Sequence, residues 1–233
     1  MILRDGAAAL RRRVARHWRP RRRAQSLAGI DFVIVDVETT GWSPGDAQIT
    51  EIGAIRLAGG GPGAEFSALV NPGQAIPADI AALTGISDDM VALAPPVAAV
   101  LPSFLDFTTG FVLAAHNAPF DVGFLASACA GSALTWPALT VLDTAALARG
   151  VLGPDEVPNY KLSTLAAYFD VRALPSHRAL ADARATAEVL SALLARLAAA
   201  GGSTLADVLA TARAGEAMAR AAHDLAQAER PAA

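Results

Sequence analysis

The chain has 233 residues, 53% of them hydrophobic, which is enough to bury a sizeable core and suits one domain with appendages. A single cysteine, Cys129, excludes an intramolecular disulfide and points to a reducing, cytoplasmic setting. No apolar run of about 18 residues is available to cross a bilayer, so no membrane partner is expected.

The formal charge of −3 hides an asymmetry, because residues 1–23 hold nine arginines against one acid, Asp5, and the remainder is strongly acidic. Residues 1–28 are read as a basic arm, either a solvated tail or a contact for nucleic-acid phosphates. Then come the elements. Ile30 to Val37 reads as a buried strand, Gln48 to Leu57 as a second, Gly59 to Gly63 as a turn and Ala64 to Val70 as a third strand. Short links make these three an antiparallel meander. A loop at Asn71 to Pro77 leads to a short helix stopped by Gly85. The stretch PPVAAVLPSFLDF predicts a helix interrupted or restarted at Pro102, and Phe111 to His116 a core strand. The next helix has Asn117 placed to cap it and Pro119 in its first turn. LTVLDT is a short strand running into AALARGVL; KLSTLAAYF and a long segment from Ala179 are helical. The order predicts an α/β fold with a mixed sheet over residues 29–200. Residues 201–233 form an alanine-rich helical tail, two helices by its pattern, with Ser203 a candidate cap.

Four acids and a histidine stand out against this background. Asp36 and Glu38 lie two apart on the first strand, so they share a face at its C-terminal end. Burying two like charges there is costly without compensation, and a divalent cation with all-oxygen ligands, Mg²⁺ or Mn²⁺, would provide it. Two solvated carboxylates at a strand end are the plainer alternative. Asp121 falls in the first turn of the helix after the core strand, where an acid can simply complement the helix dipole. Asp182 opens the long helix. His177, five residues earlier, would lie about 140° away on a helical wheel, which puts it instead in the loop after Pro175.

Together DVETTG (Asp36 to Gly41), HNAPFD (His116 to Asp121) and HRALADA (His177 to Ala183) resemble the three motifs of the DEDDh 3′→5′ exonucleases, the group that includes the proofreading epsilon subunit of DNA polymerase III. The resemblance runs in order from about Phe32 to Leu194. It implies a ribonuclease-H-like fold: a mixed sheet, its first three strands antiparallel, flanked by helices. It implies two metal ions, Mg²⁺ or Mn²⁺, held by Asp36, Glu38, Asp121 and Asp182, with Asp36 bridging them. It also implies His177 as general base, a role that suits a histidine near neutral pH. Thr39, Thr40 and Gly41 would pack against the terminal nucleotide through backbone N–H groups, with His116, Asn117 and Phe120 on the other side. Thr84 stands where many relatives carry histidine. The implied substrate is a single-stranded nucleic acid 3′ end, DNA favoured over RNA, and the implied partner a DNA polymerase. An RNA or short-oligonucleotide exonuclease and a non-catalytic binding or polymerase-anchoring module are the competing readings.

Overall fold

A computed structural model describes residues 26–59 and 61–228. The arginine arm, up to residue 25, lies outside the described residues. The strands are β1 (Phe32–Thr39), β2 (Ile49–Ala58), β3 (Gly61–Leu69), β4 (Val112–Ala115) and β5 (Val141–Asp143). The helices are α1 (Ala78–Thr84), α2 (Asp88–Val91), α3 (Val97–Thr108), α4 (Ala118–Gly131), α5 (Thr144–Val151), α6 (Leu162–Tyr168), α7 (Ala179–Ala199) and α8 (Leu205–Ala228). The sheet order is β3-β2-β1-β4-β5. β1, β2 and β3 pair antiparallel, whereas β4 and β5 run parallel to β1.

β1 is central and its two faces enter different cores. Val33, Val35 and Val37 pack with Leu101 and Phe104 of α3 and Phe124 and Leu125 of α4. Phe32 and Ile34 pack with α5, α7 and α8 through Leu147, Leu190 and Val208. Both faces are covered, which is why the strand reads as an unbroken apolar run. β2 carries Gly53 at the register of Asp36. A Cβ at Gly53 would fall inside the backbone of Ala179 and Leu180, so the missing side chain lets the first turn of α7 lie directly on the sheet.

Three local expectations are corrected. β3 begins at Gly61, inside the predicted turn, because Ala58 pairs with Gly61 and the reversal is confined between them. α3 runs unbroken through Pro102; Val100, Leu101 and Phe104 are buried around it, and their packing outweighs the lost N–H donor. Among the described residues the tail holds one helix rather than two, and its N-terminal capping residue is Thr204 rather than Ser203. The Thr204 hydroxyl accepts from the Asp207 N–H at 3.3 Å, while the Asp207 carboxylate accepts from the N–H groups of Ser203 and Thr204 at 2.9 Å.

α8 is packed against the body. Leu205, Val208 and Ala212 are buried in the core that α5 and α7 share. Glycines on both helices let the backbones touch: a Cβ at Gly215 would overlap the Ala146 carbonyl, and one at Gly150 the Thr211 carbonyl. Gly215→Ala is therefore expected to cost about 1–3 kcal/mol of stability through overpacking. Gly131→Ala, where a Cβ meets nothing within 4 Å, is expected to be neutral or slightly stabilising. Urea unfolding of the two variants beside the parent checks this contrast.

Candidate active site

Asp36 and Glu38 leave β1 on the face that carries Phe32 and Ile34, toward α7. Asp182 comes from the first turn of α7. Asp36, Glu38 and Asp182 can each bring one oxygen within 4.8 Å of the others. Asp121 reaches the same edge from α4, on the opposite layer. β4 pairs with β1 only over Phe32–Ile34, so β1 overhangs its neighbour. The Val37 N–H, beyond that ladder, donates to Asp121 Oδ1 at 3.0 Å. A β-bulge after Glu38 then turns the chain out of the sheet.

Crowding and dryness govern the charge of this cluster. Burial, followed by the charges of Asp121, Glu38, Asp182 and Glu51, holds the Asp36 carboxyl well above the usual range. Burial and then Asp182 push Glu38 up to about 8, with Arg178 opposing. Burial pushes Asp121 up to about 8 against the Val37 hydrogen bond, and burial raises Asp182 despite the Ser176 N–H. Convergent carboxylates that resist ionisation on their own are the donor set a hard divalent cation would compensate, so the residues fit such an ion.

His177 stands exposed at the mouth with φ 55, in the left-handed region. The loop that carries it is tied to the cluster, since the Ser176 N–H donates to Asp182 Oδ1 at 2.7 Å. His116 is engaged at both ring nitrogens: Nε2 lies 2.9 Å from the Tyr160 carbonyl and Nδ1 3.0 Å from Thr144 Oγ1. Burial lowers its proton affinity, and Nε2, which faces a carbonyl that can only accept, is the donor in that contact. Asn117 is left-handed at φ 68 and makes no side-chain capping bond. Its N–H donates to Asp143 Oδ1 at 3.0 Å, which differs from the expected cap.

The cleft over the acids holds about 160 Å³ and is lined by Thr39, Gly41, His116, Asn117, Phe120 and His177 as well as the four acids. Thr40 does not line it. Its N–H donates to the Gln48 carbonyl at 2.8 Å, and its hydroxyl accepts from the Gln48 N–H at 3.0 Å and from Gln74 Nε2 at 2.5 Å. The Thr39 hydroxyl donates to the Gly41 carbonyl at 2.5 Å. Thr84 lines the cleft, but its hydroxyl is used on the Ile80 carbonyl and the Ile86 N–H. A larger groove of about 410 Å³ between the β1–β2 loop and α4 has no titratable side chain in its lining, so the acid–base chemistry belongs to the smaller cleft.

Several participants escaped the sequence reading. Trp42, 72% exposed, lines the cleft with Ile80 and Leu83 of α1. The cue was available for Trp42, a large aromatic directly after the turn. Glu51 and Arg178, treated below, were also missed; a carboxylate inside the apolar run of β2 was the signal.

The exonuclease family model matches residues 33–190. The chain belongs to the exonuclease family. Among its relatives, a Mycobacterium tuberculosis protein named as a bifunctional exonuclease/endonuclease is 49% identical over 78% of this chain and 29% of its own length. A PolC-type DNA polymerase III of Caldanaerobacter subterraneus is 45% identical over 74% of this chain and 12% of its own. The chain thus spans under a third of these relatives. Among solved structures, exonuclease X in complex with 5′-overhanging duplex DNA has a TM-score of 0.59 at 27% identity, covering 76% of this chain and 98% of that one. E. coli exonuclease I in complex with a dT13 oligonucleotide has a TM-score of 0.65 at 17% identity, covering 73% and 42%, a likeness of fold. The mixed sheet and its flanking helices are the ribonuclease-H-like fold of these exonucleases. Among the described residues, no helix is long and apolar enough to cross a membrane.

The raised carboxyls set a pH dependence. Glu38 titrates near 4.5 ordinarily and near 8 in the fold, so between these values the folded chain binds more protons than the unfolded one. Stability must then fall as pH rises through that window. In EDTA, the melting temperature is expected to fall between about pH 5 and pH 8, and saturating Mn²⁺ should recover it at the upper end. Thermal unfolding followed by circular dichroism checks both; a metal-free melting temperature that climbs over that range would contradict the assignment.

Proposed function

We propose that this chain is a metal-dependent 3′→5′ exonuclease acting on single-stranded DNA ends. The observation that carries the reading is the convergence of Asp36, Glu38 and Asp182 oxygens within 4.8 Å, beneath an exposed histidine. Asp36, Glu38, Asp121 and Asp182 would hold two Mg²⁺ or Mn²⁺ ions. When bound, such ions supply an activated water and neutralise charge building on the phosphate and the leaving 3′ oxygen.

The chain's own groups do the rest. His177 takes the proton of the attacking water at an imidazole nitrogen; its exposure lets it reach that water and pass the proton to solvent. His116 relays no proton in this scheme, because its ring is fixed between Thr144 and Tyr160; it serves as a wall. Phe120 lies against Phe124, with ring centroids 4.9 Å apart, and offers an apolar side to the terminal base. Trp42 provides a second stacking surface at the rim. Stacking of this kind tolerates any base, which suits a sequence-independent trimming reaction.

DNA is favoured as substrate by exonuclease X and exonuclease I, whose structures are complexes with DNA. The polymerase III relatives support a proofreading role, in which a polymerase would be the partner. The M. tuberculosis relative favours a second reading, an exonuclease domain working beside an endonuclease in one larger protein.

The testing experiment follows nucleotide release from 5′-labelled single-stranded, mismatched and fully paired DNA and from matched RNA, in Mg²⁺ and in EDTA. Stepwise shortening from the 3′ end of single-stranded DNA, abolished by EDTA, is expected. A strong RNA preference would move the assignment to an RNA or oligonucleotide exonuclease, and binding without shortening to a non-catalytic module. His177→Ala should keep Mn²⁺ binding while turnover falls by about 10²–10⁴-fold. Asp36→Asn should lose both. Calorimetric Mn²⁺ titration beside single-turnover rates separates the two behaviours.

A further inference from the structure

We infer that Glu51 and Arg178 form a positioning pair that sets where Asp182 and His177 stand relative to Asp36 and Glu38. The inference rests on the nuclease reading but concerns residues outside the four acids and the base. Glu51 lies directly across from Glu38 in the β1–β2 register and is 3% exposed. Two carboxylates so placed repel each other, so their juxtaposition calls for a reason.

The reason lies in what Glu51 holds. Oε1 accepts from Arg178 Nη2 at 2.9 Å, while Oε2 accepts from Arg178 Nε at 3.0 Å and from the Ala179 N–H at 3.0 Å. A strand side chain therefore caps α7, whose own N-terminal flanking residue, Arg178, makes no capping bond. The two-pronged guanidinium–carboxylate contact is exacting in angle as well as distance. It fixes residues 178 and 179, which lie between His177 and Asp182.

A second observation points the same way. Gly53, two residues along β2, admits the backbone of Ala179 and Leu180 onto the sheet. β2 thus grips the start of α7 at two registers, the ones that pair with Asp36 and Glu38. Asp182 follows one turn later, its N–H donating to the Arg178 carbonyl at 3.0 Å, and its carboxylate closes the His177 loop through Ser176. Through these contacts, Glu51 and Arg178 govern both an acid and the base without touching substrate.

Arg178 could instead act by charge alone, and the two accounts differ in sign. If charge alone mattered, removing the cation would strengthen divalent binding, and a lysine would leave it unchanged. If position matters, both changes weaken it, by about 10–100-fold as is usual for groups that orient metal ligands. The test is Mn²⁺ titration of the full chain carrying Glu51→Gln, Arg178→Ala or Arg178→Lys, with circular dichroism to establish folding and kcat and KM on a single-stranded oligonucleotide. All three are expected to lose about 10–100-fold in Mn²⁺ affinity, with kcat reduced and KM within about twofold. Arg178→Ala binding Mn²⁺ as tightly as the parent or more tightly, or Arg178→Lys matching the parent, would overturn the inference. Should Glu51→Gln not fold, the Arg178 variants decide alone, since that side chain is 41% exposed. A parent protein that takes up no Mn²⁺ would overturn the nuclease reading and this inference with it. A parent that binds and hydrolyses while Arg178→Ala matches it overturns this inference only.

Discussion

Four carboxylates compressed into one dry corner oppose the fold that holds them. Each would rather be hydrated, and each raises the cost of ionising its neighbours. The architecture can be understood as the set of contacts that keeps them together regardless. The Val37 N–H holds Asp121, the Ser176 N–H holds Asp182, and the β1 backbone carries Asp36 and Glu38 between two covered faces. None of these holders is a flexible side chain; all are backbone groups in or beside β1 and α7. A cation entering such a site would find ligands already oriented and would relieve the repulsion that the acids share.

The site arises where β1 outruns its parallel neighbour. Past Ile34, β1 lacks β4 on one side, and the first turn of α4 fills that place. α7 arrives from the other layer through Gly53. Both helices present their N-terminal ends to the same spot, and the partial positive charge there favours the ionised form of the acids. His177 differs from the acids in kind. It is exposed, sits in a left-handed conformation and belongs to a loop, whereas the acids belong to strand and helix. On the proposed nuclease reading, holding and reacting are thereby divided between the strand and helix acids and an accessible loop residue.

Much of this was legible in the residues, for definable reasons. β1 shows itself because a strand buried on both faces must be apolar throughout, and Asp36 and Glu38 show because they break that rule two residues apart. Asp121 and Asp182 were another matter: an acid in a first helical turn is ordinary, and only the three motifs in order distinguish these two. Glu51 gave only the cue of a carboxylate inside the apolar run of β2; what makes it unusual, its place across from Glu38 and under Arg178, exists only once β1 and β2 are in register. Pro102 and Ser203 were misjudged locally because packing at the one and the neighbouring Thr204 hydroxyl at the other overrode the commoner rule. The partners of Thr40 were hidden as well, since nothing in the sequence reveals that Gln48 and Gln74 take up its polar groups.

One feature at the far side of the sheet bears on how the molecule survives crowded surroundings. β3 is an edge strand, and most of its side chains are exposed. An open edge of backbone donors and acceptors invites a stranger's strand to pair with it. Pro62 offers no N–H to such an intruder, and Glu65, clasped at 2.7 Å by Arg184 of α7, sets a charged pair beside that border. That margin is thereby guarded against fibril-like stacking, and the same helix that carries Asp182 supplies the guard.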